Sequence, residues 1–225
     1  MKHSKTILAT VLVLVVFPMA TAALAEDLNP PLWRGQPGTT FQQWEFSVDN
    51  RTPAPDLVNN PYGNPQMTII PTRWPALPDP NGFEWAPMFQ GRQGVYSLSG
   101  EIDTTIPNLG ELNPEKHIQL QMTWFFQEVF DWQDKPEYRP YVVSPLGGGR
   151  TYFNLTEEDI LENGWHHTTF DAVLSPNPPF ETITLSGAYY VDELVIDTIC
   201  PEPSTIVLAL MGSIGLAIMR WRQKV

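Results

Sequence analysis

The chain has 225 residues, of which 25 are acidic and 13 basic, for a net charge of −12. Five cations, Lys2, Lys5, Arg220, Arg222 and Lys224, lie at the two ends, so the stretch between is more acidic still. Such a body repels a polyanion, which excludes nucleic acid as a partner, and a single cysteine excludes an internal disulfide framework.

Lys2 and Lys5 precede an apolar stretch from Ile7 to Phe17, followed by Pro18 and small residues up to Ala23-Leu24-Ala25. A charged start, an apolar middle and an Ala-x-Ala site predict a secretory signal peptide over residues 1–25, cut before Glu26 by signal peptidase. The competing reading, a retained N-terminal anchor, is disfavoured by the cleavage site.

Residues 26–199 are long enough for one domain with a core. From Glu26 to Pro87 prolines recur at short intervals, which removes backbone donors and excludes helices of any length. Phe41 to Val48 alternates, with Trp44, Phe46 and Val48 on one face, and Gln66 to Pro71 is a second short strand. Asp79-Pro80-Asn81-Gly82 predicts a turn. Gly94 to Ile106 alternates through Tyr96, Leu98, Ile102 and Thr104, with Gly100 as the expected bulge. His117 to Phe126 is the most regular strand, with Ile118, Leu120, Met122, Trp124 and Phe126 on one side. These two strands are expected to pair as antiparallel neighbours.

An aromatic loop, Phe130 to Tyr141, and Gly147-Gly148-Gly149 follow. Thr156 with Glu157, Glu158 and Asp159 resembles a helix start, and Gly164 a helix stop, which predicts one short helix over Glu157 to Asn163. Trp165 to Leu174 returns to strand, with Phe170, Ala172 and Leu174 inward, and strands over Thr182 to Leu185 and Tyr189 to Ile199 close the body. Many short strands and almost no helix predict a mainly β fold, a single antiparallel β-sandwich of jelly-roll type. Tyr190-Val191-Asp192-Glu193-Leu194-Val195-Ile196-Asp197 resembles the final strand of jelly-roll carbohydrate-binding modules, which implies a sandwich and sugar binding.

The last segment, residues 200–225, contains Pro201-Glu202-Pro203, an uncharged run from Ile206 to Met219, and a basic end at Arg220, Arg222 and Lys224. A helix over about 204–219, at about 1.5 Å per residue, covers somewhat less than the roughly 30 Å hydrocarbon core, so it spans with local thinning, its cations cytoplasmic. Ala209, Ser213 and Ala217 line one face on which a partner helix can close. A buried core helix is the bland alternative, and a eukaryotic lipid-anchor signal is disfavoured by the cations. The tail resembles the PEP-CTERM sorting signal, with Pro201, Glu202 and Pro203 as its motif. That resemblance implies recognition and processing by a membrane-embedded exosortase, and a chain exported through the inner membrane, held there transiently and then passed to the cell surface or extracellular matrix. Cys200, directly before the motif, is either a buried thiol or an interchain link.

Common catalytic signatures, namely phosphate loops, zinc-protease helices, nucleophile elbows and dinucleotide fingerprints, do not occur. His166 and His167 are adjacent, so on a strand they face opposite sides and do not share a metal. No cofactor is expected beyond structural calcium, for which Asp79, Asn81, Asp192, Glu193 and Asp197 offer oxygen ligands. Glu101 with Asp103, or Glu128 with Asp131, are nominees for a paired-carboxylate hydrolase, though solvated surface is the ordinary fate of such pairs. The eight tryptophans carry the better functional signal. Trp44 and Trp124 read as core. Trp74 and Trp132, with Tyr138 and Tyr141, read either as rings that grip exopolysaccharide or as loop-pinning core. The expected function is a non-enzymatic surface or matrix protein binding polysaccharide, and the alternative is a secreted glycan hydrolase.

Overall fold

The computed structural model describes residues 27–71, 84–108, 115–126, 141–146 and 149–201. Over these residues the protein is mainly β, and all strand pairings are antiparallel. Eleven strands run in chain order: β1 (Thr39–Trp44), β2 (Leu57–Asn59), β3 (Gln66–Pro71), β4 (Trp85–Phe89), β5 (Arg92–Pro107), β6 (Lys116–Phe125), β7 (Tyr141–Leu146), β8 (Gly149–Tyr152), β9 (Asn154–Ile160), β10 (Trp165–Leu174) and β11 (Phe180–Ile199).

β11 organises the sheet. Its first half pairs with β5 on one edge and β7 on the other; its second half pairs with β1 and β6. β3 and β4 extend the first wing beyond β5, and β10 and β9 extend the second beyond β6. The expected pairing of β5 with β6 does not occur, because each takes a different half of β11 instead. The two closing strands expected from sequence are this one 20-residue strand. Gly100 sits in unbroken register opposite Gly187 and Pro71, so the bulge is not there. It falls in β11 between Val191 and Glu193.

The bulge has a consequence for the core. Before it Ile183, Leu185, Tyr189 and Val191 are buried; after it Leu194 and Ile196 continue the same cluster, so one extra residue switches the inward parity from odd to even. Residues of both wings, including Met67, Ile102, Ile106, Leu120, Met122 and Phe170, share this cluster. Trp44 and Trp124 belong to it, as expected. At roughly 1.5–3 kcal/mol for each fully buried large aliphatic or Phe side chain, it is the main attractive term of the fold.

The expected helix over Glu157 to Asn163 is absent. Asn154–Ile160 is strand β9, fully exposed along one edge of the sheet, followed by a single 3-10 turn at Glu162–Gly164. Pairing with β10 through Glu157–Thr169 and Asp159–His167 overrides the local helix-start signal. The acidic run on an edge strand blocks edge-to-edge association instead. β1 is shorter than expected, because Phe46 turns to φ 49 and Val48 emerges into solvent.

The opposite face of β1, β6, β10 and the second half of β11 is polar, and residues 27–38 cross it. Arg34 donates to Asp197 through Nε (2.6 Å) and Nη2 (2.5 Å), pairs with Asp27, and lies 4.4 Å from the Phe41 ring centroid. Gln121 donates to Asp27 (2.9 Å), and the Asn29 amide donates to Gln121 (2.9 Å). Among the described residues no helix is long and apolar enough to cross a membrane. The signal peptide and the expected span at Ile206–Met219 lie outside the described residues.

Candidate functional site

A two-residue turn begins the site. Gln90 and Gly91 both take positive φ (48° and 86°), the geometry that joins tightly twisted antiparallel strands, and the turn carries Phe89 opposite Arg92. Arg92 then reaches across to the bulge of β11, where its Nη1 donates to Asp192 Oδ2 at 2.8 Å, and its guanidinium lies 5.1 Å from the centroid of the Trp165 ring. Trp165 Nε1 donates to the Gln90 carbonyl (3.2 Å), which ties the turn to the start of β10. A second, small aromatic cluster lies below: Trp165, Tyr190 and Val95, with Phe89, Phe125 and Leu161 against them. Phe89 and Tyr190 stack at 4.4 Å.

Above this floor is a cavity of about 610 Å³ lined by Glu45, Ser47, Gln90, Gly91, Arg92, Gln93, Ile160, Leu161, Glu162, Asn163, Trp165, Asp192 and Glu193. The size lies within the range of small-ligand sites. Four of the lining side chains are carboxylates and one is an arginine, and the arginine already pairs with Asp192. Glu193 is buried and accepts from Gln43 Nε2 at 3.1 Å. Burial, and secondarily the neighbouring Asp56, push the Glu45 carboxyl above the usual range. The arrangement supplies hydrogen-bond acceptors from carboxylates and both donors and acceptors from Gln90, Gln93 and Asn163, suited to a hydroxylated or amine-bearing ligand.

Of the residues nominated from sequence, the calcium candidates Asp192 and Glu193 line this cavity, and the others are not brought to it. Trp74, Trp132 and Tyr138 lie outside the described residues, as do Glu128 and Asp131 and the calcium candidates Asp79 and Asn81; Tyr141 begins β7, and its side chain is outside them too. Glu101 and Asp103 lie on β5 and accept from hydroxyls of β11, Ser186 (3.4 Å) and Thr184 (2.6 Å), so cross-strand pairing occupies them away from the cavity. Asp197, also nominated for calcium, is held by Arg34. Adjacent His166 and His167 do face opposite sides: His166 stacks on Trp124 at 4.7 Å, while buried His167 is bonded to Thr123 (3.0 Å) and Gln121 (3.1 Å). Of the sorting motif, Pro201 is half-buried at the end of the described body, and Glu202, Pro203, Arg220, Arg222 and Lys224 lie outside it. Cys200 is buried, the bland of its two expected fates.

Glu45, Arg92 and Trp165 were not singled out by sequence reasoning. A signal existed for the turn, since Gln90-Gly91 separates two alternating stretches, but nothing local tells that Arg92 meets a bulge one hundred residues later.

No family model matches the chain, and no curated protein does. Among solved structures, one described as "AvmM Catalyzes Macrocyclization in Alchivemycin A Biosynthesis" is similar over 46% of this chain and 56% of its own, at 16% identity and a TM-score of 0.21. The match spans about half of that chain, and a likeness this slight carries no argument about fold or function.

Proposed function

We propose that the protein is an exported bacterial surface or matrix component whose body, a β-sandwich, binds exopolysaccharide without catalysis. The cavity above Trp165 carries the reading: its acceptors and amides match the hydroxyls of one or two sugar rings, and its volume accommodates them. Export and sorting rest on the sequence of the two ends, the Ala-x-Ala site and the tail that resembles a PEP-CTERM signal. Exosortase and signal peptidase are then the partners met in transit, and the membrane is held through the C-terminal segment.

Retention on native exopolysaccharide tests the binding, with Glu45→Gln as the variant. The wild type should be retained and the variant released earlier; equal failure of both to bind refutes the reading. Mass spectrometry of the mature protein tests the sorting: a C-terminus near Pro203 supports it, and an intact Val225 refutes it.

A second reading, a glycan hydrolase, draws on one observation. Glu45, whose carboxyl is pushed up by burial, and Glu193 line the same cavity, a pair of carboxylates of the kind an acid and its partner require. Turnover on a glycan panel, lost in Glu45→Gln, would establish it in place of the first.

A further inference from the structure

At the end of the sheet remote from the cavity, several strand termini converge on a buried polar group. Asn108 follows the last residue of β5, Lys116 opens β6, Glu181 is the second residue of β11, and Asn177 and Cys200 flank that strand on either side. Register explains the meeting: Glu181 lies opposite Ile106, the Asn108 amide donates to the Pro179 carbonyl (3.2 Å), and His117 lies opposite Ile199.

The side chains are placed with unusual chemical economy. Lys116 and Glu181 are both fully buried, with Nζ 3.0 Å from Glu181 Oε1. Lys116 Nζ also donates to Asn108 Oδ1 at 2.7 Å. The electrophilic Cγ is one C=O bond, about 1.2 Å, beyond that oxygen. The carboxamide is fixed from its other side, since Asn108 Nδ2 donates to Asn177 Oδ1 and to the Pro178 carbonyl (2.7 Å), while Cys200 Sγ donates to Asn108 Oδ1 at 3.2 Å. Glu181 Oε2 has no hydrogen-bond partner among the described residues. A buried ion pair with one bare carboxylate oxygen is a poor resting state, because the cost of removing two charges from water is offset only when every lone pair is satisfied.

We propose that Lys116 and Asn108 join covalently through their side chains, forming an isopeptide bond with Glu181 as the proton carrier. Glu181 takes a proton from the Lys116 ammonium, leaving a neutral amine. Nζ attacks Cγ of Asn108, and the developing oxyanion at Oδ1 keeps the Cys200 S–H. Glu181 returns its proton to Nδ2 and collects the surplus proton from Nζ, the Cγ–Nδ2 bond breaks and ammonia leaves. An amine and a primary amide become a secondary amide and ammonia, with no change of oxidation state and no cofactor. Burial, the largest influence on Glu181, pushes its carboxyl upward against the opposing pull of Lys116, which favours the neutral acid and amine that the step needs. The product exchanges two buried charges for one neutral amide and staples the ends of β5 and β6.

Peptide mapping of the full chain by tandem mass spectrometry tests this directly. The expected result is a single peptide that runs uncut through Lys116, lighter by one ammonia, with its residues 108 to 116 closed into a ring so that single backbone breaks between them release no fragment ions. Glu181→Gln should fold and restore both the cleavage and the full mass. Should Glu181→Gln fail to fold, the wild-type map alone decides. A wild-type chain cut at Lys116 overturns the proposal, and so does ammonia loss confined to a succinimide at Asn108 or a link that maps to Asn177.

Discussion

Replacing Asp197 by Asn should stabilise the protein at neutral pH, contrary to what its ion pair with Arg34 suggests. Asp197 is fully buried, and burial pushes its carboxyl from 3.8 up to about 6, with the Arg34 hydrogen bonds and charge opposing that rise. A carboxyl raised in the folded state binds its proton more tightly there than in the unfolded chain. Its favourable contribution is therefore fully present below 3.8 and is lost as pH rises through 6. A gap of roughly two units at about 1.36 kcal/mol each makes the ionised form about 3 kcal/mol worse for folding than the protonated form. Asparagine mimics the protonated form at every pH. Thermal melts followed by circular dichroism should show Asp197→Asn gaining up to about 3 kcal/mol at pH 7.5, roughly 6–12 °C for a domain of this size, and nothing at pH 4. Glu45 and Glu181, also raised, act in the same direction but are common to both proteins, so the difference isolates Asp197. A variant less stable at pH 7.5 would refute the reasoning, since the Arg34 bonds would then outweigh the cost of burial.

Three further outcomes follow from the packing and the cavity. Gly94 has φ +72 and a Cβ there would meet the Phe46 carbonyl, so Gly94→Ala should cost about 2 kcal/mol or more, measured by urea unfolding. Met122, fully buried in the central cluster, should cost about 2–5 kcal/mol when cut to Ala, with an unchanged m-value. Retention on polysaccharide should weaken on acidification at a higher pH than an ordinary carboxylate would set, because Glu45 is protonated sooner; in Glu45→Gln that part of the profile should be flat.

Alternation made most strands readable. β3 has the expected bounds, β6 and β10 bury the residues that alternate, and Trp124 is core between Met122 and Phe126 at two-residue spacing, as Trp44 is beside Phe46. Where local signals competed with pairing, pairing won. Thr156 to Asp159 has the composition of a helix start, yet the open edge of β10 offered a full ladder, and backbone hydrogen bonds to a formed strand outweigh a weak helical preference of a few residues.

The site was less legible for a related reason. Its parts come from the turn after β4, the bulge in β11 and the start of β10, and of these only the bulge, with Asp192 and Glu193, carried a local signal in the sequence. Residue identity by itself determined the acidic balance, the strand-rich body, the inward apolar faces and the character of the two ends, because these depend on composition and on spacings of a few residues. Tertiary structure alone decided that β11 serves both wings, that a bulge turns Asp192 toward Arg92, and that Lys116, Asn108 and Glu181 meet beneath the surface. Those depend on strand register across tens of residues, where shifting a pairing by one position exchanges the two faces and no local spacing records the choice.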